Sequence, residues 1–194
     1  MSPEVAADFE AGRRAVAALV ESFETDLNYY KSRDFDETTN RQRFLDPFFA
    51  ALGWDVADQA RSGPYADVIL EQSLPSERGV RNHPTLEQEE ADDERADLVR
   101  APSSTAEAVS VRRPDYTFRI EGAPQFFVEA KRPSVNIASA RPIFQVKSYG
   151  WSARTALAML TDFEDLLVFD CRHRPNFEEP NTGRRGLGSR RGPR

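Results

Sequence analysis

The sequence predicts an α/β domain, a mixed central sheet of about four strands flanked by helices, and three observations carry that prediction. Two segments, 115–120 and 126–130, alternate apolar and polar residues on either side of the turn residues Glu121-Gly122-Ala123-Pro124, the pattern of a β-hairpin. Residues 4–30 and 138–158 instead repeat at helical spacing or carry few breakers. At 194 residues with 39% apolar content, the chain can bury one substantial core but is too short for two large ones.

In chain order, residues 1–35 are expected to hold an amphipathic helix over 4–30, with Phe9, Val16, Val20, Phe23, Leu27 and Tyr30 on its apolar stripe. A second helix carries Glu37 and Arg41 four apart, the spacing of a surface ion pair. Phe44, Leu45, Phe48, Phe49 and Leu52 would pin it to the sheet, and Pro47 within that stripe should kink or restart it. A strand is expected over 67–71, with Glu71 able to face the polar end of the hairpin. Residues 72–110 contain Pro84, the acidic run 87–94 and Ala101-Pro102-Ser103-Ser104, and low hydrophobicity over such length predicts a flexible acidic insertion. The Gly- and Arg-rich stretch 175–194 is expected to be disordered and to reflect truncation of a longer chain.

The hairpin carries the chemistry. Side chains along a strand alternate faces, so Glu129 and Lys131 share one face while Phe126, Val128 and Ala130 take the other, one face for chemistry and one for core. A three-residue loop over 121–123 places Tyr116 opposite Val128, Phe118 opposite Phe126 and Asp115 opposite Glu129, whereas a two-residue loop would set apolar residues against polar ones on every pair. Two carboxylates and a lysine then meet. Mg²⁺ takes one or two carboxylates with water and phosphate oxygens completing its shell, so Asp115 and Glu129 suit a metal-dependent phosphodiester cleavage in which Lys131 positions the attacking water. Over 138–158, Gln145 and Tyr149 fall four apart on one helix face.

Composition bounds the setting. The single Cys171 excludes an intrachain disulfide, and Cys171 with His173 alone does not make a zinc site. No apolar run approaches a membrane span or a signal sequence, so a cytoplasmic protein without membrane contact is expected. A net charge of −6 opposes DNA binding as a whole. Between Arg112 and Arg154, however, Arg112, Arg113, Arg119, Lys131, Arg132, Arg141, Lys147 and Arg154 outnumber Asp115, Glu121 and Glu129, a locally basic surface around an acidic cluster.

At these motifs the chain resembles the PD-(D/E)xK nucleases, and within them the N-terminal nuclease domain of type I and type IIG restriction enzymes. The resemblance takes in Pro114-Asp115 and Glu129-Ala130-Lys131, Tyr30-Lys31-Ser32, Glu37 with Arg41, the block 44–56, the block 144–152, Leu160-Thr161-Asp162-Phe163-Glu164 and the run 166–170. It covers roughly residues 28–172, with 72–110 as the departure. It implies a restriction-endonuclease-like core over 36–174 and a Mg²⁺-dependent DNA endonuclease of a restriction-modification system. Asp115, Glu129 and Lys131 would be catalytic, with Asp115 and Glu129 as metal ligands. Glu37 would approach the metal or its waters, and Gln145 and Tyr149 would support the lysine or the DNA backbone. Arg132, Arg141, Lys147 and Arg154 would meet DNA phosphates, although for the last three a plainly solvated charge is the competing reading.

The implied partners are double-stranded DNA and a separate methyltransferase, specificity or motor subunit, with a homodimer left open. No Walker-type phosphate loop and no Asn-Pro-Pro-Tyr-like signature occurs, so neither ATP nor S-adenosylmethionine is expected to bind. The alternative is a catalytically silent DNA-binding or assembly module, a truncated or split-gene remnant.

Overall fold

The computed structural model describes residues 3–60, 62–71, 113–184 and 187–189; the expected insertion at 72–110 lies outside them. Its helices are α1 (Pro3–Thr25), α2 (Leu27–Tyr30), α3 (Glu37–Asn40), α4 (Asp46–Ala51) and α5 (Ala140–Ser152), with a π turn over Arg41–Leu45 joining α3 to α4. The strands are β1 (Val68–Leu70), β2 (Tyr116–Ile120), β3 (Ala123–Ala130), β4 (Leu157–Thr161), β5 (Asp165–Asp170) and β6 (Leu187–Ser189). They form one sheet in the order β1-β2-β3-β4-β5-β6. Only the β3/β4 pair is parallel, so the sheet is mixed, and β1 and β6 are three-residue edges around four longer strands. No helix among the described residues is long and apolar enough to cross a membrane.

The sheet is covered on both faces. Phe127, Ala158, Leu160, Leu167 and Phe169 pack under Ile143, Val146 and Tyr149 of α5, while Val68, Tyr116, Phe118, Val128 and Ala130 pack under Leu45 and Phe49. Both faces of β3 are therefore core over its buried half, Phe127 to Ala130, apart from Glu129, and the expected division into one chemical and one apolar face holds only at its C-terminal end. A third cluster joins Phe23, Tyr30, Phe35 and Phe44. Phe163, at the β4/β5 turn, stacks on Phe44 at 4.8 Å and meets Phe23 edge-on at 5.2 Å, tying the N-terminal helices to the sheet.

Several expectations are corrected. The helix over 4–30 breaks at Asp26, Phe9 is 64% exposed rather than packed, and Leu52 at the end of α4 is 56% exposed. Gly12 explains how α1 lies against α4: a Cβ there would stand 2.3 Å from the Ala51 carbonyl oxygen. Pro47 does restart a helix, at the start of α4 directly after the π turn. The β2/β3 loop has two residues, not three. Glu121 and Gly122 both take positive φ, 51° and 82°, as a type I′ turn requires. A bulge between Phe118 and Arg119 then shifts the ladder by one residue, restoring Tyr116 opposite Val128 and Phe118 opposite Phe126.

The helix expected over 138–158 stops at Ser152. Arg154 turns to φ 57°, its N–H donates to the Trp151 carbonyl and the Thr155 N–H to that of Gly150, which is a Schellman ending with arginine where glycine is usual. Leu157–Thr161 then becomes a parallel strand whose apolar run imitates a helix because both its faces are buried. Within the 175–194 stretch, the described residues make contacts with the domain. Phe177 meets Phe144 of α5 edge-on, Arg184 bridges Phe169, and β6 pairs with β5.

Candidate active site at the end of the central hairpin

Asp115 immediately precedes β2 and continues its register, so its side chain lies where the β2/β3 ladder runs out. Its Oδ2 accepts from the Ala130 N–H at 2.7 Å, and its Oδ1 accepts from Arg41 Nη1 at 3.1 Å. Glu129 is 3% exposed. Its Oε1 accepts from Lys131 Nζ at 2.7 Å and from Gln145 Nε2 at 2.8 Å, and its Oε2 is buried with no hydrogen-bond partner.

Lys131 is held by its backbone before its side chain acts. Its N–H donates to the Thr161 carbonyl at 2.8 Å and its own carbonyl accepts from Asn40 Nδ2 at 2.9 Å. The ammonium lies 2.7 Å from Glu129 and 3.6 Å from Glu37 Oε2. Glu37 opens α3, whose N-cap Asp36 accepts from the Thr39 N–H at 2.6 Å. Gln145 completes the group by donating to the Tyr149 hydroxyl at 2.8 Å. The structure thus gathers Asp115, Glu129, Lys131, Glu37, Gln145 and Tyr149 in one place.

Three carboxyls sharing one partly enclosed volume resist ionisation together. Burial pushes the Glu129 carboxyl up to about 8, with Lys131 opposing and Asp115 adding to the shift. Burial likewise raises Asp115 and Glu37 above the usual carboxylate range, against the pull of Lys131 in each case. For Lys131 burial works against the charge, but Glu129 and Glu37 outweigh it and hold the ammonium above its ordinary value. Burial and then the nearby Glu129 raise the Tyr149 phenol, so it stays neutral.

No group of three or more His, Cys, Asp or Glu side chains suited to a metal ion gathers among the described residues. The pair Asp115 and Glu129 is what a Mg²⁺ ion uses when waters and phosphate oxygens supply the remaining ligands. The partnerless Glu129 Oε2 is an acceptor of the kind a cation satisfies.

The basic residues separate. Arg132 and Arg141 are half-buried, Arg132 next to Lys131 and Arg141 in the first turn of α5. Arg154 is exposed beyond the far end of α5, where β4 begins, on the order of 10 Å along the strands from the level of Glu129. Lys147 is corrected outright: it is buried, and its ammonium donates to the carbonyls of Pro180 at 3.1 Å and Thr182 at 2.8 Å. It fastens the C-terminal stretch to α5 and has no face turned to a phosphate.

Sequence reasoning missed Arg41 and Asn40. Arg41 was paired on paper with Glu37; it reaches instead to Asp115 and to Glu71 at 3.3 Å, and lies 5.1 Å over the Tyr116 ring. The π turn redirects it, and a five-residue widening of the helix leaves no mark in hydrophobic spacing. Asn40 is fully buried and also donates to the Asp162 carbonyl at 3.4 Å, joining Lys131 to the β4/β5 turn. Glu71 does reach the site through Arg41, but from a turn at φ 51° just after β1, not from the strand expected over 67–71.

Residues 34–177 match the family described as type I restriction enzyme R protein N terminus. The type II restriction enzyme and methyltransferase RM.Eco57I of Escherichia coli is 32% identical over 155 residues, which is 79% of this chain and 13% of that protein. The chain therefore spans about one eighth of the relative's length. No solved structure matches. With the family aligned over the whole cluster from Glu37 to Tyr149, and with the mixed sheet that carries it, the chain belongs to the type I restriction enzyme R protein N-terminal family, a PD-(D/E)xK-like nuclease domain of restriction enzymes.

Proposed function

We propose that this chain is the Mg²⁺-dependent DNA endonuclease domain of a restriction-modification system, hydrolysing phosphodiester bonds of double-stranded DNA in the cytoplasm. The observation that carries this reading is the asymmetry of Glu129: one oxygen is fixed by Lys131 and Gln145, and the other is buried with nothing to bind. Such an oxygen favours a cation ligand over a structural carboxylate. Asp115 and Glu129 would hold the ion, and Mg²⁺ bound there supplies charge for the phosphate and acidifies water.

The chain's own residues do the rest. Lys131 stands between Glu129 and Glu37 and orients the attacking water. Gln145 keeps Glu129 in one rotamer, and Tyr149, unionised, anchors Gln145. Glu37 accepts a hydrogen bond from that water. Arg132 and Arg141 contact the DNA backbone beside the site, and Arg154 contacts it farther out.

The test is plasmid cleavage with Mg²⁺, with EDTA, and with Lys131→Ala. Cleavage is expected only for the wild type with Mg²⁺, with the variant down at least a hundredfold, about what a lost charge-stabilising group costs. Undiminished cleavage by the variant would remove this mechanism.

A second reading is favoured by one observation, that the chain matches only 13% of its relative. The domain would then bind DNA or assemble silently until a separate methyltransferase, specificity or motor subunit joins it. Binding without cleavage, converted to cleavage by adding such a subunit, distinguishes the two.

A further inference from the structure

The two carboxylates of the site are not equally ready for a cation. Glu129 keeps an open oxygen, whereas both oxygens of Asp115 are taken, Oδ2 by the Ala130 N–H and Oδ1 by Arg41. The donor to Oδ2 is a backbone N–H fixed at the end of β3, whereas the donor to Oδ1 is the side chain of Arg41, which can move. The Arg41 guanidinium carbon stands 5.1 Å from the centre of the Tyr116 ring, and that ring is held because its hydroxyl donates to Asp46 Oδ1 at 2.6 Å. The same Nη1 already donates to Glu71 Oε1 at 3.3 Å, and the Glu71 side chain is 62% exposed. A guanidinium set over a held ring, its Nη1 shared between a half-buried and an exposed carboxylate, can release the first and keep the second without leaving the ring.

We propose that Arg41 is an exchangeable counter-ion of Asp115, which it releases when a divalent cation binds, keeping its bond to Glu71 and offering its freed N–H to a phosphodiester oxygen of the DNA. The inference rests on the nuclease reading above and deepens it, since it assigns a substrate-binding residue and an order of events. Before the cation arrives, Arg41 balances the buried acids. After it arrives, two positive charges on Asp115 repel each other, and the phosphate is the anion at hand that accepts a guanidinium fork. Lys131 cannot take this part, because its backbone is tied on both sides and its ammonium is bound to Glu129.

The experiment titrates Mn²⁺ alone into the wild-type chain, Arg41→Gln and Glu71→Gln by calorimetry, and measures duplex DNA binding in Ca²⁺ by fluorescence anisotropy. Arg41→Gln is expected to bind Mn²⁺ roughly tenfold more tightly and DNA roughly tenfold more weakly. Glu71→Gln removes the carboxylate that keeps Arg41 after release and is expected to weaken Mn²⁺ binding; that loss should vanish in the double variant, since Glu71 acts through Arg41. Were Arg41→Gln unable to fold, Arg41→Lys takes its place in the cycle, with the same signs at smaller size.

Unchanged or weaker Mn²⁺ binding by Arg41→Gln overturns the proposal and leaves Arg41 a structural prop of Asp115. A Glu71→Gln loss that persists in the double variant does the same. A wild-type chain that takes up no Mn²⁺ and cuts no plasmid overturns the nuclease reading and this inference together, whereas one that binds and cuts while the variants behave as wild type overturns this inference alone.

Discussion

Glu129 lies almost fully buried beneath α5, and burial is the largest influence opposing its charge. The consequence is a definite sign in the pH dependence of stability. A carboxyl raised from its ordinary 4.5 to about 8 keeps its proton in the folded state over a range where the unfolded chain has lost it. The folded state then binds more protons, so stability falls as pH rises through that window. Asp115 and Glu37 shift the same way, and the raised Lys131 contributes only above its ordinary range. In EDTA the melting temperature should decline between about pH 5 and about pH 8, and Glu129→Gln should flatten the decline. A wild-type chain with a level profile across that interval would refute the assignment. Cation affinity should rise over the same interval, because binding displaces the shared proton.

Much of this residue-level picture was legible in the chain. Alternation at Phe126–Ala130 and at Tyr116–Phe118 sufficed to bring Asp115 to Glu129, since only one register buries both sets. Arg41 was illegible because helical spacing pairs it with Glu37, and the π turn that turns it away depends on packing of Phe44 and Leu45 that no local pattern encodes.

Among the elements, the end of α5 is the most exposed to error and the most open to test. Arg154 sits in the left-handed region at φ 57°, where a residue with a Cβ is less stable than glycine by about 1 kcal/mol. Arg154→Gly should therefore raise unfolding stability by about 0.5–1 kcal/mol in urea titrations. If Arg154 contacts DNA as proposed, the same variant should bind duplex with a shallower salt dependence. A destabilised Arg154→Gly protein would contradict the helix ending described here. Without a glycine at that place the sequence offers no stop signal, which is why helix and strand merged into one expected run. The hairpin turn shows the reverse: Gly122 marked it, while the bulge that repairs its register left no trace.

At the scale of the whole molecule, α5 couples the site to the C-terminal stretch. Gln145 points to Glu129, while Phe144 and Lys147 of the same helix hold Phe177 and the carbonyls of Pro180 and Thr182. Lys147→Met keeps the aliphatic stem and removes the ammonium. It should cost about 1–3 kcal/mol and accelerate trypsin cleavage at the exposed Arg184. Unaltered cleavage kinetics would show that β6 and the aromatic contact hold the stretch unaided.

The enclosure of Glu129 also sets stability against chemistry. A buried acid next to a half-buried lysine is less stable than apolar residues of similar size, so replacing Glu129 with leucine or methionine is expected to stabilise the fold while removing the proposed cation ligand. The sequence carries it together with Asp115, Lys131 and Gln145. Glu129 is therefore a position where a stabilising substitution and loss of the chemistry proposed for the domain would coincide.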